Sequence, residues 1–157
     1  MRETLFNVLG QTCDGLEVLD LYAGTGALGL EAVSRGAARA VLVDKGEEAL
    51  ALCRQNAAAL KFEGRVEIVR GDALTTIGKR SDRFQLVFAD PPYAQKIGLE
   101  ILKKLDETDR LPDGGLAVLE TGADEVLPDR EGRFERVDER EFGATRVSIF
   151  RFTSAAA

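Results

Sequence analysis

The sequence contains no histidine and no tryptophan, and its 157 residues include only two cysteines, four prolines and one methionine. Without histidine, Ser-His-Asp and Cys-His nucleophile arrangements, an imidazole general base and His-containing zinc sites are all excluded. Chemistry must rest on carboxylates, hydroxyls, backbone groups or a cofactor, and no metal site is expected. Cys13 and Cys53 are too few and too far apart for a disulfide framework or a CxxC site, and they read as small buried apolar residues. No apolar run approaches the ~20 residues of a membrane span, and MRETLFNVLG lacks the apolar stretch of a signal peptide. A cytoplasmic location without membrane contact is therefore expected. An excess of positive charge is also missing: 21 Lys and Arg stand against 27 Asp and Glu, for a net charge of −6. The surplus lies in residues 81–157, with 16 acidic groups against 11 basic. That balance excludes a generic nucleic-acid coat and leaves nucleic acid as a locally read substrate.

The remaining composition, 45% hydrophobic and 31% charged with 16 Gly, is that of one globular domain over 1–157. A chain this long buries about 68–70% of its unfolded surface and needs no disulfide or structural metal. Strands are expected at Glu17 to Tyr22, Ala40 to Val43, Val66 to Val69, Phe84 to Ala89 and Leu116 to Glu120. Helices are expected over Ala27 to Arg35, closed by Gly36, over Glu47 to Leu60, and around Ile97, Ile101, Leu102 and Leu105. This alternation implies right-handed crossovers and a mainly parallel α/β sheet. Phe134 to Phe142 and Arg146 to Phe152 leave no room for a helix between them and should pair as an antiparallel hairpin at one edge. Ser154 to Ala157 reads as a disordered end.

In an open α/β sheet, ligands bind beyond the carboxyl ends of the strands. Four of those ends carry an aspartate: Asp20, Asp44, Asp72 and Asp90. Any one of them is an ordinary turn or N-cap residue, but four on one rim point to a site. Gly24-Thr25-Gly26-Ala27-Leu28-Gly29 matches G-x-G-x-x-G, and Asp44 follows Gly24 by 20 residues, the spacing of the dinucleotide fingerprint. Taken alone, that match does not choose NAD. Asp20, just before the loop, would repel a pyrophosphate and favour a cationic ligand. S-adenosyl-L-methionine has an ammonium, a sulfonium and a ribose diol but no phosphate. Asp44 can accept from its ribose hydroxyls, and Asp72 with the Ala73 amide can read its adenine edge.

Asp90-Pro91-Pro92-Tyr93 is the most specific element. Two prolines directly after a buried strand restrict the chain and withhold two amide donors, so the site presents acceptors. If the Asp90 carboxylate and the Pro91 carbonyl each accept one N–H of a nucleobase amine, its nitrogen lone pair is oriented for in-line attack on a methyl group. Tyr93 supplies a stacking face for the flipped base.

RETLFNVL near the start, DLYAGTGALGLEAVSRGA, VLVDK, FADPPY and a late FGATRVSIFRF together resemble the RsmD family, over residues 2 to 152. These bacterial enzymes methylate the exocyclic amine of a guanine in 16S ribosomal RNA. The resemblance implies the seven-stranded class I S-adenosylmethionine-dependent methyltransferase fold, Rossmann-like, with an antiparallel C-terminal hairpin. It implies cofactor contacts among Asp20, Ala23, Gly24, Thr25, Gly26, Gly29, Asp44, Lys45, Asp72, Ala73 and Asp90, with the target amine meeting Asp90, Pro91, Pro92 and Tyr93. Family members usually begin earlier, with a basic RPT-containing segment thought to touch RNA. In the chain as given, that segment reads as short or missing.

Lys79, Arg80 and Arg83 form the remaining basic cluster for phosphate contact, against the plainer reading of a solvated loop. Phe6 and Phe62 read as core. Phe142, beside the turn between the last two strands, also reads as core but is the aromatic to watch for the substrate. The function expected is guanine-N2 methyl transfer by a monomer to 16S rRNA within the small subunit or an assembly intermediate. The alternatives are an adenine-N6 or cytosine-N4 methyltransferase on DNA or RNA, and a non-catalytic S-adenosylmethionine-binding module. An NAD oxidoreductase ranks last, since nothing supplies a hydride-site acid or base.

Overall fold

The computed structural model describes Phe6 and residues 13–154, with Tyr93 described by its backbone alone. Eight strands form one sheet: β1 (Glu17–Leu21), β2 (Arg39–Asp44), β3 (Val66–Arg70), β4 (Leu86–Ala89), β5 (Leu116–Gly122), β6 (Arg130–Glu131), β7 (Phe134–Phe142) and β8 (Thr145–Phe152). Their order is β3-β2-β1-β4-β5-β8-β7-β6. Among the described residues, four helices of known extent flank them: α1 (Ala27–Ser34), α2 (Glu47–Ala59), α3 (Ala73–Lys79) and α4 (Gly98–Glu107). The RETLFNVL motif, apart from Phe6, and residues 155–157 of the expected disordered end lie outside the described residues. Among the described residues, no helix is long and apolar enough to cross a membrane.

β1 to β5 are parallel, and β8 enters antiparallel between β5 and β7. The order reverses between β1 and β4, so their carboxyl ends open a crevice at the switch point. Residues alternate between the two faces. Leu19, Val41, Val87, Ala117 and Phe150 pack on the side of α3 and α4. Val18, Leu42, Phe88, Val118 and Ile149 pack on the side of α1 and α2. The central strands are buried on both faces, which is why they read as continuous apolar runs rather than alternating ones.

Three details differ from the sequence expectation. The seven expected strands are joined by an eighth, β6, a two-residue edge strand too short to show a pattern. Helix α3 went unread because Ala73–Lys79 carries two threonines and a glycine in seven residues, yet burial of Ala73, Thr76 and Ile77 fixes it. Leu60 is the C-cap of α2 and 50% exposed, while Leu50, Cys53 and Ala57 face the core.

Phe6 is fully buried, its ring edge-on to Phe88 at 5.8 Å and covered by the Arg35 guanidinium. Phe62 and Phe142 are partly buried against the same cluster. At the amino ends of the parallel strands, Arg39 pairs with Glu17 at 2.5 Å and Asp82 at 2.6 Å, and Arg80 holds Asp82 and Glu67. The Phe84 ring lies under both guanidinium groups.

Helix α1 packs tightly onto the sheet at Gly29, where an added Cβ would run into the Leu42 side chain and crowd the Asp20 carboxylate. Leu42 is fully buried and has no room to yield. Gly29→Ala should therefore destabilise the fold by about 1–3 kcal/mol through overpacking, read as a lower urea midpoint at unchanged slope.

Candidate active site

The chain leaves β1 through Tyr22, in the left-handed region at φ 59°, and turns through Gly24 and Gly26 at φ 59° and 82°. The loop that follows is held from three sides. Ala23 N–H donates to the Val43 carbonyl at 2.9 Å, the Cys53 thiol donates to the Gly24 carbonyl at 3.2 Å, and the Asn56 amide donates to the Thr25 carbonyl at 3.0 Å. Burial, together with Asp20 and Asp44, pushes the Cys53 thiol up to about 11, so it stays a donor. Asp44 completes the clamp: one carboxylate oxygen accepts from Gly24 N–H and the other from Gly46 N–H, both at 2.9 Å. One side chain thus fixes both the glycine loop and the start of α2. The place where a Gly24 Cβ would stand is open to 4 Å, whereas Gly26 is crowded by Leu42 and Cys53. Gly24 therefore borders open space, and Gly26 serves the packing.

Asp20 is buried, 3% exposed, and accepts from Gly29 N–H at 2.9 Å. Burial pushes its carboxyl up to about 7, and the nearby Asp90 and Asp44 add to this while the Gly29 hydrogen bond opposes it. Asp72 is the N-cap of α3. It accepts from the Thr75 amide and hydroxyl at 3.0 and 3.1 Å, and lies 3.5 Å from the Lys45 ammonium. The Thr75 amide, chiefly, holds its carboxyl below the ordinary range. Ala73, next to it, is buried in the first turn of α3.

After β4 the chain runs through Asp90, buried Pro91 and exposed Pro92 into a 3-10 turn, Tyr93–Gln95. The Pro92 carbonyl accepts from Gln95 N–H at 3.0 Å. The expected stacking of Tyr93 concerns a side chain outside the described residues. Tyr22, Asp44, Lys45, Asp90, Pro92 and Gln95 line a cleft of about 300 Å³ at the switch point. A larger groove of about 570 Å³ runs between α1 and α2, but only Glu31 brings a charge to it.

Two residues of this rim had escaped the sequence reading. Glu120, near the end of β5, hydrogen-bonds to Asp90. Burial first, and then Glu120, pushes the Asp90 carboxyl up to about 7. Tyr22 closes β1 into the cleft, and burial together with Asp72 and Glu100 pushes its hydroxyl up to about 12. The signal for Glu120 was present in its position: it follows Val118 by two residues and so shares a face with Phe88 and Asp90.

The basic cluster is placed elsewhere. Lys79 ends α3, Arg80 is locked between Glu67 and Asp82, and Arg83 is paired with Asp109. All three precede β4 and so lie at the amino rim, opposite the cleft. The structure thus puts these three expected phosphate contacts a full β4 length from Asp90, with Arg80 and Arg83 engaged in ion pairs. The Phe142 turn, in contrast, lies at the carboxyl rim, because Thr145 pairs with Gly122 at the end of β5.

The acceptor set suits a ligand with cationic and hydroxyl groups rather than a phosphate. Asp20, Asp44, Asp90 and Glu120 share one face and one rim, and the open Gly24 backbone lies beside them. The same burial sets a stability slope. Above the ordinary carboxylate value of about 4, the unfolded chain has released the Asp20 proton while the folded chain keeps it up to about 7, so stability falls as pH rises through that window. Asp20→Asn should therefore gain on the native sequence by a few kcal/mol between pH about 4 and about 7 and hold that gain above, as measured by urea unfolding at each pH.

A family model described as conserved hypothetical protein 95 matches residues 1–151. Ribosomal RNA small subunit methyltransferase D of Escherichia coli (strain K12) is 34% identical over 128 residues, covering 82% of this chain and 64% of that one. The chain thus spans less than two thirds of that relative. A conserved hypothetical protein from Streptococcus pyogenes superposes with a TM-score of 0.93 at 33% identity, over 100% of this chain and 98% of that one. An RNA methyltransferase from Salinibacter ruber, solved with S-adenosyl-L-homocysteine, shares the fold alone, with a TM-score of 0.72 at 16% identity over 99% and 92% of the two chains. The fold is that of the class I S-adenosylmethionine-dependent methyltransferases. By this match across nearly its whole length, the chain belongs to the conserved hypothetical protein 95 family, the RsmD-type family that its motifs resemble.

Proposed function

We propose that the protein transfers the methyl group of S-adenosyl-L-methionine to the exocyclic 2-amino group of a guanine in 16S rRNA, presented by the small subunit or an assembly intermediate. The observation that carries this reading is the placement of Asp90-Pro91-Pro92 at the switch point, next to the clamped glycine loop and on the cleft that Asp44 also lines. The rRNA substrate is supported by the E. coli relative, whose name states small-subunit rRNA methylation.

Asp44 would hold the cofactor's ribose hydroxyls on lone pairs left by its two backbone bonds. Gly24 would take the amino-acid end, with the Asp20 carboxyl behind it, and Asp72 with Ala73 would face the adenine. When bound, the cofactor supplies an electrophilic methyl on a sulfonium. The chain supplies orientation. The Pro92 carbonyl is taken by Gln95, so the backbone acceptor assigned to the amine is that of Pro91. It and an Asp90 oxygen each accept one N–H, which leaves the nitrogen lone pair directed at the methyl. Tyr93 is assigned the stacking face for the base. No imidazole base is required, because orientation and fixed electrostatics lower the barrier and the proton departs after transfer. With a net charge of −6 and Arg80 and Arg83 held in ion pairs, free RNA finds little electrostatic attraction, so an assembled ribonucleoprotein surface provides the positioning.

Two outcomes test this. Incubation with labelled cofactor and, separately, deproteinised 16S rRNA, unmodified small subunits and duplex DNA should place label on N2 of one guanine in the subunit sample. Label on adenine N6 or on DNA would move the assignment to the other amino-methyltransferases. Asp90→Ala should keep the fold and hold cofactor affinity within about tenfold while lowering single-turnover transfer by a factor on the order of 10² or more; transfer at the native rate would remove Asp90 from the mechanism.

A further inference from the structure

β4 and β5 are parallel neighbours, paired Leu86 with Leu116 through Ala89 with Leu119. The next residues, Asp90 just after β4 and Glu120 within β5, therefore project side by side from one face, and the two carboxyl groups hydrogen-bond to each other. Two carboxylates cannot do this, since both would be acceptors; one proton must lie between them. With that proton on one Asp90 oxygen, the other oxygen stays an acceptor.

Resting on the amine-methylation reading above, we infer that Glu120 is a positioning residue for the reacting amine: by sharing a proton with Asp90 it holds the Asp90 carboxyl in one rotamer, with a single oxygen presented to the amine N–H. Glu120 touches neither cofactor nor amine in this scheme and acts only through Asp90. The arrangement has a built-in pH limit. Asp90 is held near 7 by burial and by Glu120, so above that value it gives up the shared proton and the bridge is lost.

Other charged groups bear on the pair and are distinguishable from it. Asp20 of β1 faces Asp90 and also titrates at about 7; Asp44, Lys45 and Tyr22 share its cleft. On the other side, Glu120 is in register with Val147 of β8, and Val147 with Arg140 of β7, whose guanidinium is held by Asp138. Asp20 and these partners remain in a Glu120 variant, so any change in the profile belongs to the pair.

The test uses the full-length protein and two readouts. In carboxyl ¹³C NMR, with signals assigned through Asp90→Asn and Glu120→Gln, Asp90 should titrate near 7 in the native protein and substantially lower in Glu120→Gln, whose amide donates to an ionised Asp90. In single-turnover methylation, the native rate should fall roughly 15-fold from pH 7 to 8.5, following the fraction of the pair that still holds its proton. Glu120→Gln should lose that fall and outpace the native protein at pH 8.5. Glu120→Ala should be about tenfold slower at neutral pH and below, through kcat, with KM for the RNA and cofactor affinity within about threefold. A merely structural role would move KM and affinity as well. Superimposable pH profiles for the native protein and Glu120→Gln, or an Asp90 titration unmoved by that substitution, would overturn the inference. The NMR arm needs no RNA: coupled titration in a protein that methylates adenine or cytosine amines instead supports the pairing and overturns only the guanine assignment.

Discussion

In a parallel sheet every strand ends on the same side, and residues an even number apart share a face. That constraint places Asp20, Asp44, Asp90 and Glu120 together, because the pairings of β1 with β2, β1 with β4 and β4 with β5 set each acid on the face of Leu42, Phe88 and Val118 at the carboxyl rim. A shift of one residue in any strand would turn its acid toward the opposite face. Burying carboxylates there, and secondarily crowding them together, costs stability, as the raised Asp20 and Asp90 carboxyls express. The opposite rim offsets it: Arg39 and Arg80 bind Glu17, Glu67 and Asp82, and hold the last two carboxyls below their ordinary range. Charge is thus divided, with paired and stabilising ions at the amino ends and crowded acids poised for a ligand at the carboxyl ends.

The glycine loop depends on the same division. Its backbone is positioned by groups that are themselves buried or clamped: Asp44 across two N–H donors, Cys53 on the Gly24 carbonyl, and Asp20 on Gly29 at the helix that follows. The loop meets a ligand already formed. This preorganisation lets a protein without histidine do its chemistry through orientation.

Much of this was legible in the residues. Four of the five parallel strands are largely apolar runs closed by turns, and burial on both faces makes such runs unmistakable, while β3 at the edge is only partly buried. The glycine loop, Asp44 and the Asp-Pro-Pro element follow from local chemistry at short range. What escaped was decided by neighbours distant in sequence. Cys53 read as filler, and its thiol proves to hold the loop across 29 residues. Glu120 looked like the end of a strand until β5 was placed beside β4. A sequence shows the charges of Arg80 and Arg83 without their ion-pair partners, Glu67, Asp82 and Asp109. β6 has two residues and no period to read.

The central claim is that the acidic rim and the glycine loop form one cofactor site, aimed at Asp90. The most direct measurement is the crystal structure of the protein bound to S-adenosyl-L-homocysteine. The account predicts its ribose hydroxyls on Asp44, its amino-acid end over Gly24 with Asp20 behind, and its sulfur directed at the Asp90-Pro91 acceptors. Ligand seated in the groove between α1 and α2, or at the rim without contact to Asp44, would contradict it.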